Sequence, residues 1–307
     1  MKYLPFLTGT YSTAPGLWPI ARQTDFDKLI FQITDDYINY LQNKTDCRKE
    51  NMGKYYCEER LLPSTSRAVN HYIAAQLQQE YPHYFEFSEN GSYCTFINLQ
   101  TRQVLRWHKE SNELSGPGYL SVFDALCCQV QEDFAICQLQ EDDDWMAAIH
   151  LCAPNHWGAE DKTGKNFNAV HAPVPGMEKT QAHHSKMLQS IVHKGPFTRF
   201  AWGIATDNRL NHHPQPPPGI DADWWQGRKI DAHAQLYIRT ERQNLVGFPE
   251  TNAFLFTIRT YFYPVALLEN HEKRALWSAV RSMSPQSLLY KGLTEATGFL
   301  AEKLFDE

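Results

Sequence analysis

The 307-residue chain has no C-x-x-C pair, no apolar run of membrane-spanning length near its start and no excess of positive charge. Its seven cysteines (Cys47, Cys57, Cys94, Cys127, Cys128, Cys137 and Cys152) are odd in number and sit mostly inside apolar segments, so they read as reduced core thiols. Proline at positions 5, 15 and 19 interrupts the first twenty residues, which excludes a signal-peptide pattern and an 18-residue span there. A cytoplasmic location without a membrane partner is the expectation. A formal charge of −6 with scattered Lys and Arg gives no footprint for nucleic acid. The G-x-S-x-G elbow, the G-x-x-x-x-G-K-[ST] phosphate loop and the G-x-G-x-x-G turn are missing as well. Gly164-Lys165 lacks the upstream glycine and the following hydroxyl of a phosphate loop. These absences lower hydrolase, NTPase and dinucleotide-enzyme readings.

What is present is core material: 42% hydrophobic residues, with 8 Trp, 15 Tyr and 17 Phe, which argues against disorder. Phe26, Leu29, Ile30, Ile33, Tyr37 and Tyr40 follow Thr24-Asp25 at helical spacing and predict a helix beginning there. Residues 43–63 are polar and broken by Gly53 and Pro63; a second helix runs from Ser64 to the residue before Pro82. Tyr93–Ile97 and Gln103–Trp107 form a plausible hairpin, and Ser121–Val130 reads as helix. Strands are expected at 134–139, 145–152, 200–205, 234–239 and 253–260, and helices at 180–192, 270–283 and from 285 onward. Strict β-α-β alternation and internal repeats are lacking. The expected class is therefore α+β, with a mainly antiparallel sheet and inserted and flanking helices. The expected division is an N-terminal helical extension over 1–90, a core over 91–265 and C-terminal helices over 266–307.

Chemistry centres first on His171-Ala172-Pro173-Val174-Pro175-Gly176. Each proline fixes its own φ and biases the preceding residue toward extended geometry, which predicts a histidine on stiff, non-helical backbone. Either the imidazole is aimed at a ligand, or the prolines turn a loop and the ring bonds a carbonyl. His150, Cys152 and His156 could meet around a metal, although their spacing matches no common zinc pattern. The acidic run 141–144 reads as a solvated hairpin tip, and His183-His184 and His212-His213 as surface pairs, the latter opening a proline-rich surface loop or lid. On a strand, Arg239 and Glu241 project to one side and Thr240 and Arg242 to the other. With Arg259 they form either an ion-pair cluster or a site for an anionic ligand group.

Taken together, Gln131-Glu132-Asp133-Phe134, Pro154-Asn155-His156-Trp157, Lys162-Thr163-Gly164-Lys165, His171-Ala172-Pro173-Val174-Pro175-Gly176, Arg239-Thr240-Glu241-Arg242-Gln243, Phe256-Thr257-Ile258-Arg259-Thr260-Tyr261 and Tyr290-Lys291-Gly292-Leu293 occur in the order of one family. The chain resembles the haem-dependent oxidative N-demethylases, over roughly 120–295 in particular. The resemblance implies a PAS-like core holding haem b. It also implies use of dioxygen and of electrons from a separate flavin/iron-sulfur reductase subunit to demethylate a small, dimethylamine-like amine with release of formaldehyde. It maps the axial iron ligand onto His171. Trp157, Lys162, Lys165, Arg242 and Arg259 are candidates for lining the haem or pairing its propionates, and Glu241 and Arg239 for catalysis. The alternatives are a haem-binding PAS-type gas or redox sensor, or a non-catalytic small-molecule-binding protein of the same shape. The proline-rich 214–219 stretch departs from the family pattern at the expected pocket mouth.

Overall fold

The computed structural model describes residues 2–141, 143–221, 234–295 and 297–305. Its strands are β1 (Trp18–Pro19), β2 (Tyr56–Glu58), β3 (Phe85–Asn90), β4 (Tyr93–Asn98), β5 (Gln103–His108), β6 (Asp133–Gln140), β7 (Asp143–His150), β8 (Phe197–Ala205), β9 (Tyr237–Phe248) and β10 (Ala253–Pro264). The α-helices are α1 (Tyr37–Tyr55), α2 (Pro63–Glu80), α3 (Val122–Cys127), α4 (Phe167–His171), α5 (Glu178–Ala182), α6 (His184–Lys194), α7 (Asn270–Arg281), α8 (Pro285–Tyr290) and α9 (Thr297–Phe305). Seven strands form one antiparallel sheet in the order β1-β8-β9-β10-β6-β7-β2, and β3-β4-β5 form a second. The chain is thus α+β with a mainly antiparallel sheet.

Alternation along β9 decides which elements cover which face. Arg242 pairs directly with Arg259 in the register and Glu241 with Thr260, so the two arginines share one face and Glu241 looks out of the other. The Arg242 face is covered by the N-terminal segment: Thr240 Oγ1 donates to Tyr3 O (2.9 Å), Arg242 to Asp27 O and Leu29 O (2.8 Å each), and Asn244 Nδ2 to Ile30 O (2.7 Å). The same side carries the largest apolar cluster, where Phe134, Ile136, Val246 and Leu255 meet α2, α3 and the small sheet. The C-terminal helices pack with Phe6, Trp202, Ile204 and Ile238. The Glu241 face is covered by the insertion 155–194, through Leu188, Ile191 and Val192 of α6 against Leu245 and Phe254, and Ala159 and Trp157 against Ile258 and Phe256.

Three expectations need correction. The helix predicted from Thr24 is only a 3-10 turn at Asp25–Lys28, and α1 begins at Tyr37. Consecutive backbone N–H groups are taken by distant side chains: Ile30 and Phe31 donate to Glu80, Gln32 to Glu132, Ile33 to Tyr81 Oη and Thr34 to Gln131. Those donors are unavailable for i→i−4 bonds, so tertiary partners override helical periodicity. The polar stretch after residue 43 is instead the body of α1. Tyr40, Lys44, Cys47 and Tyr55 are buried, and the backbone kinks at Asn51, near the expected break at Gly53. The helix expected over 180–192 is split at His183 into α5 and α6.

Candidate haem site

His171 stands at the last residue of α4, correcting the expectation of a non-helical backbone. Asn166 caps α4 by accepting the Ala169 N–H at 2.9 Å, and Phe167 N–H donates to Asp144 at 2.6 Å, which fixes the short helix to β7. Ala172 keeps helical dihedrals (φ −53°, ψ −35°) although Pro173 follows it. The packing of α4 outweighs the usual pre-proline bias.

The imidazole Nδ1 is 2.8 Å from Phe167 O. A carbonyl can only accept, so Nδ1 carries the proton and Nε2 keeps its lone pair. The ring lies 4.1 Å from the Phe167 ring, and no hydrogen bond to Nε2 occurs among the described residues. Burial pushes the His171 pKa down to about 4, opposed by the Phe167 bond and assisted by the nearby charges of Lys162 and Arg199. The ring is neutral at physiological pH.

Around it the sheet presents the carboxylate of Glu241 with Arg199 and Arg239, and Lys162 and Lys291 join from flanking segments. Glu241 Oε2 accepts from Gln243 Nε2 at 2.9 Å, and Arg239 Nε lies 3.8 Å from Oε1. Arg199 joins the same face from β8, opposite Gln243 in the register. Its Nε and that of Arg239 are buried without hydrogen-bond partners. Burial lowers the pKa of both arginines, and Glu241 counters it. Lys162 stacks on Trp157, with Nζ 3.9 Å from the ring centre. Burial brings its pKa down to about 8 against the pull of Glu241 and Asp161. Lys291 donates to Trp202 O at 2.7 Å and is likewise lowered to about 8 by burial, with Glu241 raising and Arg199 lowering it. Desolvated cations in this surplus are costly unless an anion joins them.

The structure therefore brings His171, Trp157, Lys162, Arg239 and Glu241 to one face. Lys165 is exposed and reaches the cluster only through its charge on Lys162. Arg242 and Arg259 are not brought there. Arg259 donates to Gln32 O, Thr260 O and Thr34 Oγ1 and stacks 4.0 Å from Tyr40, so both arginines tie down the N-terminal segment. Arg239 is only partly free for the site, because Nη2 donates to Ala153 O (2.6 Å) and Nη1 to Leu210 O (3.3 Å).

The other histidines are also reassigned. His156 does not join His150 and Cys152; its N–H bonds His212 O at 3.0 Å. His212 and His213 are buried (6% and 5% exposed), not a surface pair, and contact Asp207 (2.9 Å) and Glu160 (3.0 Å). Asp144, expected at a solvated tip, is buried as the anchor of α4, while Asp143 is exposed and Asp142 lies outside the described residues. Arg199 and the role of Lys291 are what sequence reasoning missed. The available signal was a cation on the otherwise apolar strand Phe197–Ala205, the same signal that drew attention to Arg259.

The residues present fit a haem. An imidazole with its tautomer set by a carbonyl leaves Nε2 for iron, and surplus buried cations suit two propionates. A family model described as haem-dependent oxidative N-demethylase, alpha subunit-like, matches residues 21–300.

Proposed function

The chain belongs to the haem-dependent oxidative N-demethylase, alpha subunit-like family, and from that premise we propose that it is the haem-carrying subunit of an enzyme that removes a methyl group from a small N-methylated amine. The observation that carries this reading is His171, neutral and bonded through Nδ1 to Phe167 O, beside a buried group of cations that outnumber their carboxylate.

In this reading His171 Nε2 would hold the iron of a b-type haem in a PAS-like core, on the Glu241 face of the sheet beside the insertion 155–194. Bound haem supplies dioxygen activation with electrons delivered from outside the chain. Lys162, Arg199 and Lys291 would hold the propionates, with Arg239 at the edge, and Trp157 would line the haem. With the cations so engaged, Glu241 is the carboxylate left to orient an alkylammonium group or to hold a proton beside the reacting methyl group. The apolar rings of Trp157 and Phe167 keep water from that region. The substrate is dimethylamine-like and the products are the demethylated amine and formaldehyde. The words "alpha subunit-like" support an assembly of several subunits. A flavin/iron-sulfur reductase subunit fits the missing component, since the cysteines of this chain form no cluster motif.

Haem reconstitution tests the reading. The expected result is a Soret band with a histidine-ligand signature that His171→Ala alters, together with amine-dependent formaldehyde release when a reductase is added. A spectrum unchanged by His171→Ala overturns the ligand assignment. Stable haem without amine turnover favours a sensor over an enzyme.

A further inference from the structure

A second constellation lies on the other side of β7, apart from His171. Asp124 and Cys128 are one helical turn apart at the end of α3, and His150 closes β7 opposite them. His150 Nε2 is 3.3 Å from Asp124 Oδ1 and 3.6 Å from Cys128 Sγ, and the latter two atoms are 3.9 Å apart. The 3.3 Å contact is longer than a usual N–H···O hydrogen bond, and the two contacts to sulfur are within its hydrogen-bond reach. Tetrahedral zinc with its usual bond lengths requires neighbouring N, O and S ligand atoms about 3.4–3.6 Å apart.

We propose that Asp124, Cys128 and His150 bind a zinc-type divalent ion. His150 is fully buried, its Nε2 faces Asp124 and Cys128, and its Nδ1 on the far side of the ring has no hydrogen-bond partner. A zinc ion would engage Nε2, and Asp133 and Cys152 lie close by, each with a ligand atom within 4.8 Å of a His150 ring nitrogen. Coordination removes the Cys128 thiol proton to solvent, and the thiolate adds a negative charge beside the Asp124 carboxylate. Arg48 donates to the same carboxylate, bonds Gly118 O at 2.6 Å and stacks 4.8 Å from Tyr119, which holds Asp124 in place from outside. The N,S,O donor set favours zinc over magnesium or calcium. Cys128 also lines a cavity of about 660 Å³ together with Arg48, Tyr119 and Gln129. A fourth ligand, water or a small Lewis base as in zinc sites with three protein ligands, would enter from that cavity past Cys128.

Metal analysis of the full chain after exhaustive dialysis against trace zinc, combined with zinc-edge X-ray absorption, tests the proposal and is insensitive to haem. The expected result is one zinc per chain with a single sulfur neighbour. Cys128→Ser removes the sulfur signal, Asp124→Asn weakens zinc binding by about tenfold or more, and Cys152→Ser leaves the sulfur signal intact. Absence of zinc from the wild-type chain, a zinc shell without sulfur, or loss of the sulfur in Cys152→Ser instead of Cys128→Ser overturns it. The wild-type measurements decide even where a variant fails to fold.

Discussion

His171 Nδ1 lies 2.8 Å from the carbonyl oxygen of Phe167, one turn back along the same short helix, so the proton on the imidazole is fixed by a local backbone contact. The aim of the ring is consequently set by α4 and its anchor on Asp144. The prolines that follow only end the helix.

The depressed His171 pKa makes stability depend on pH. Its folded value of about 4 lies below the ordinary 6.5, so between these values the unfolded chain binds more protons. The contribution of the neutral ring is present above pH 6.5 and is lost as the pH falls toward 4. It amounts to at most about 3 kcal/mol. Urea midpoints at pH 4.5 and 7 are expected to differ more for wild type than for His171→Asn. Equal differences refute the assignment.

Lys162 and Lys291 have the same sign for the same reason, the burial of a basic group. Both are lowered to about 8 from 10.5, so the unfolded chain binds more protons between pH 8 and 10.5, and stability rises with pH across that window. At pH 7 the charged amines are costly in the haem-free protein. Lys162→Met is expected to raise the melting temperature of that form while weakening haem uptake. A lower melting temperature with unchanged haem affinity contradicts the role given to Lys162.

Arg242 is expected to act on stability alone. Its Nη2 bonds two carbonyls of the 24–33 segment, and its Nε and Nη1 are buried without partners. Arg242→Ala should cost about 2–4 kcal/mol by leaving those carbonyls unpaired. Limited proteolysis should then cut near Phe26–Ile33, with the haem spectrum unaltered; a shifted Soret band would place Arg242 in the cofactor site after all.

Gly247 marks a close approach between β9 and the end of α6, where a Cβ would collide with the Val192 carbonyl. Backbone on both sides leaves little room to yield. Gly247→Ala is expected to destabilise by about 2–4 kcal/mol, read as a fall in denaturation midpoint. A neutral substitution would show that α6 moves freely against the sheet.

Legibility in the sequence followed the range of the forces involved. The second helix, the small hairpin and the strands around 134–139 and 253–260 are written in local periodicity, because each buries one face against a neighbour and only apolar spacing is needed. Side-chain alternation on a strand is likewise local, so the separation of Glu241 from Arg242 was readable from their adjacent positions. The path of 26–34 was not, since its backbone donors are claimed by Glu80, Glu132, Tyr81 and Gln131, whose proximity no local pattern reveals.

The sequence by itself determined the α+β class, the excess of core material, the His171 candidate and, through the ordered motifs, the family. Only the tertiary structure decided which cations face the histidine. Arg199 and Lys291 join Glu241 because β8 pairs with β9 in one register and the Trp202 carbonyl holds Lys291 there, whereas Arg259 is drawn to the other face. Charge in a folded protein acts across space that the chain order does not encode, and burial sets its cost only once the sheet, the insertion and the termini have closed around it.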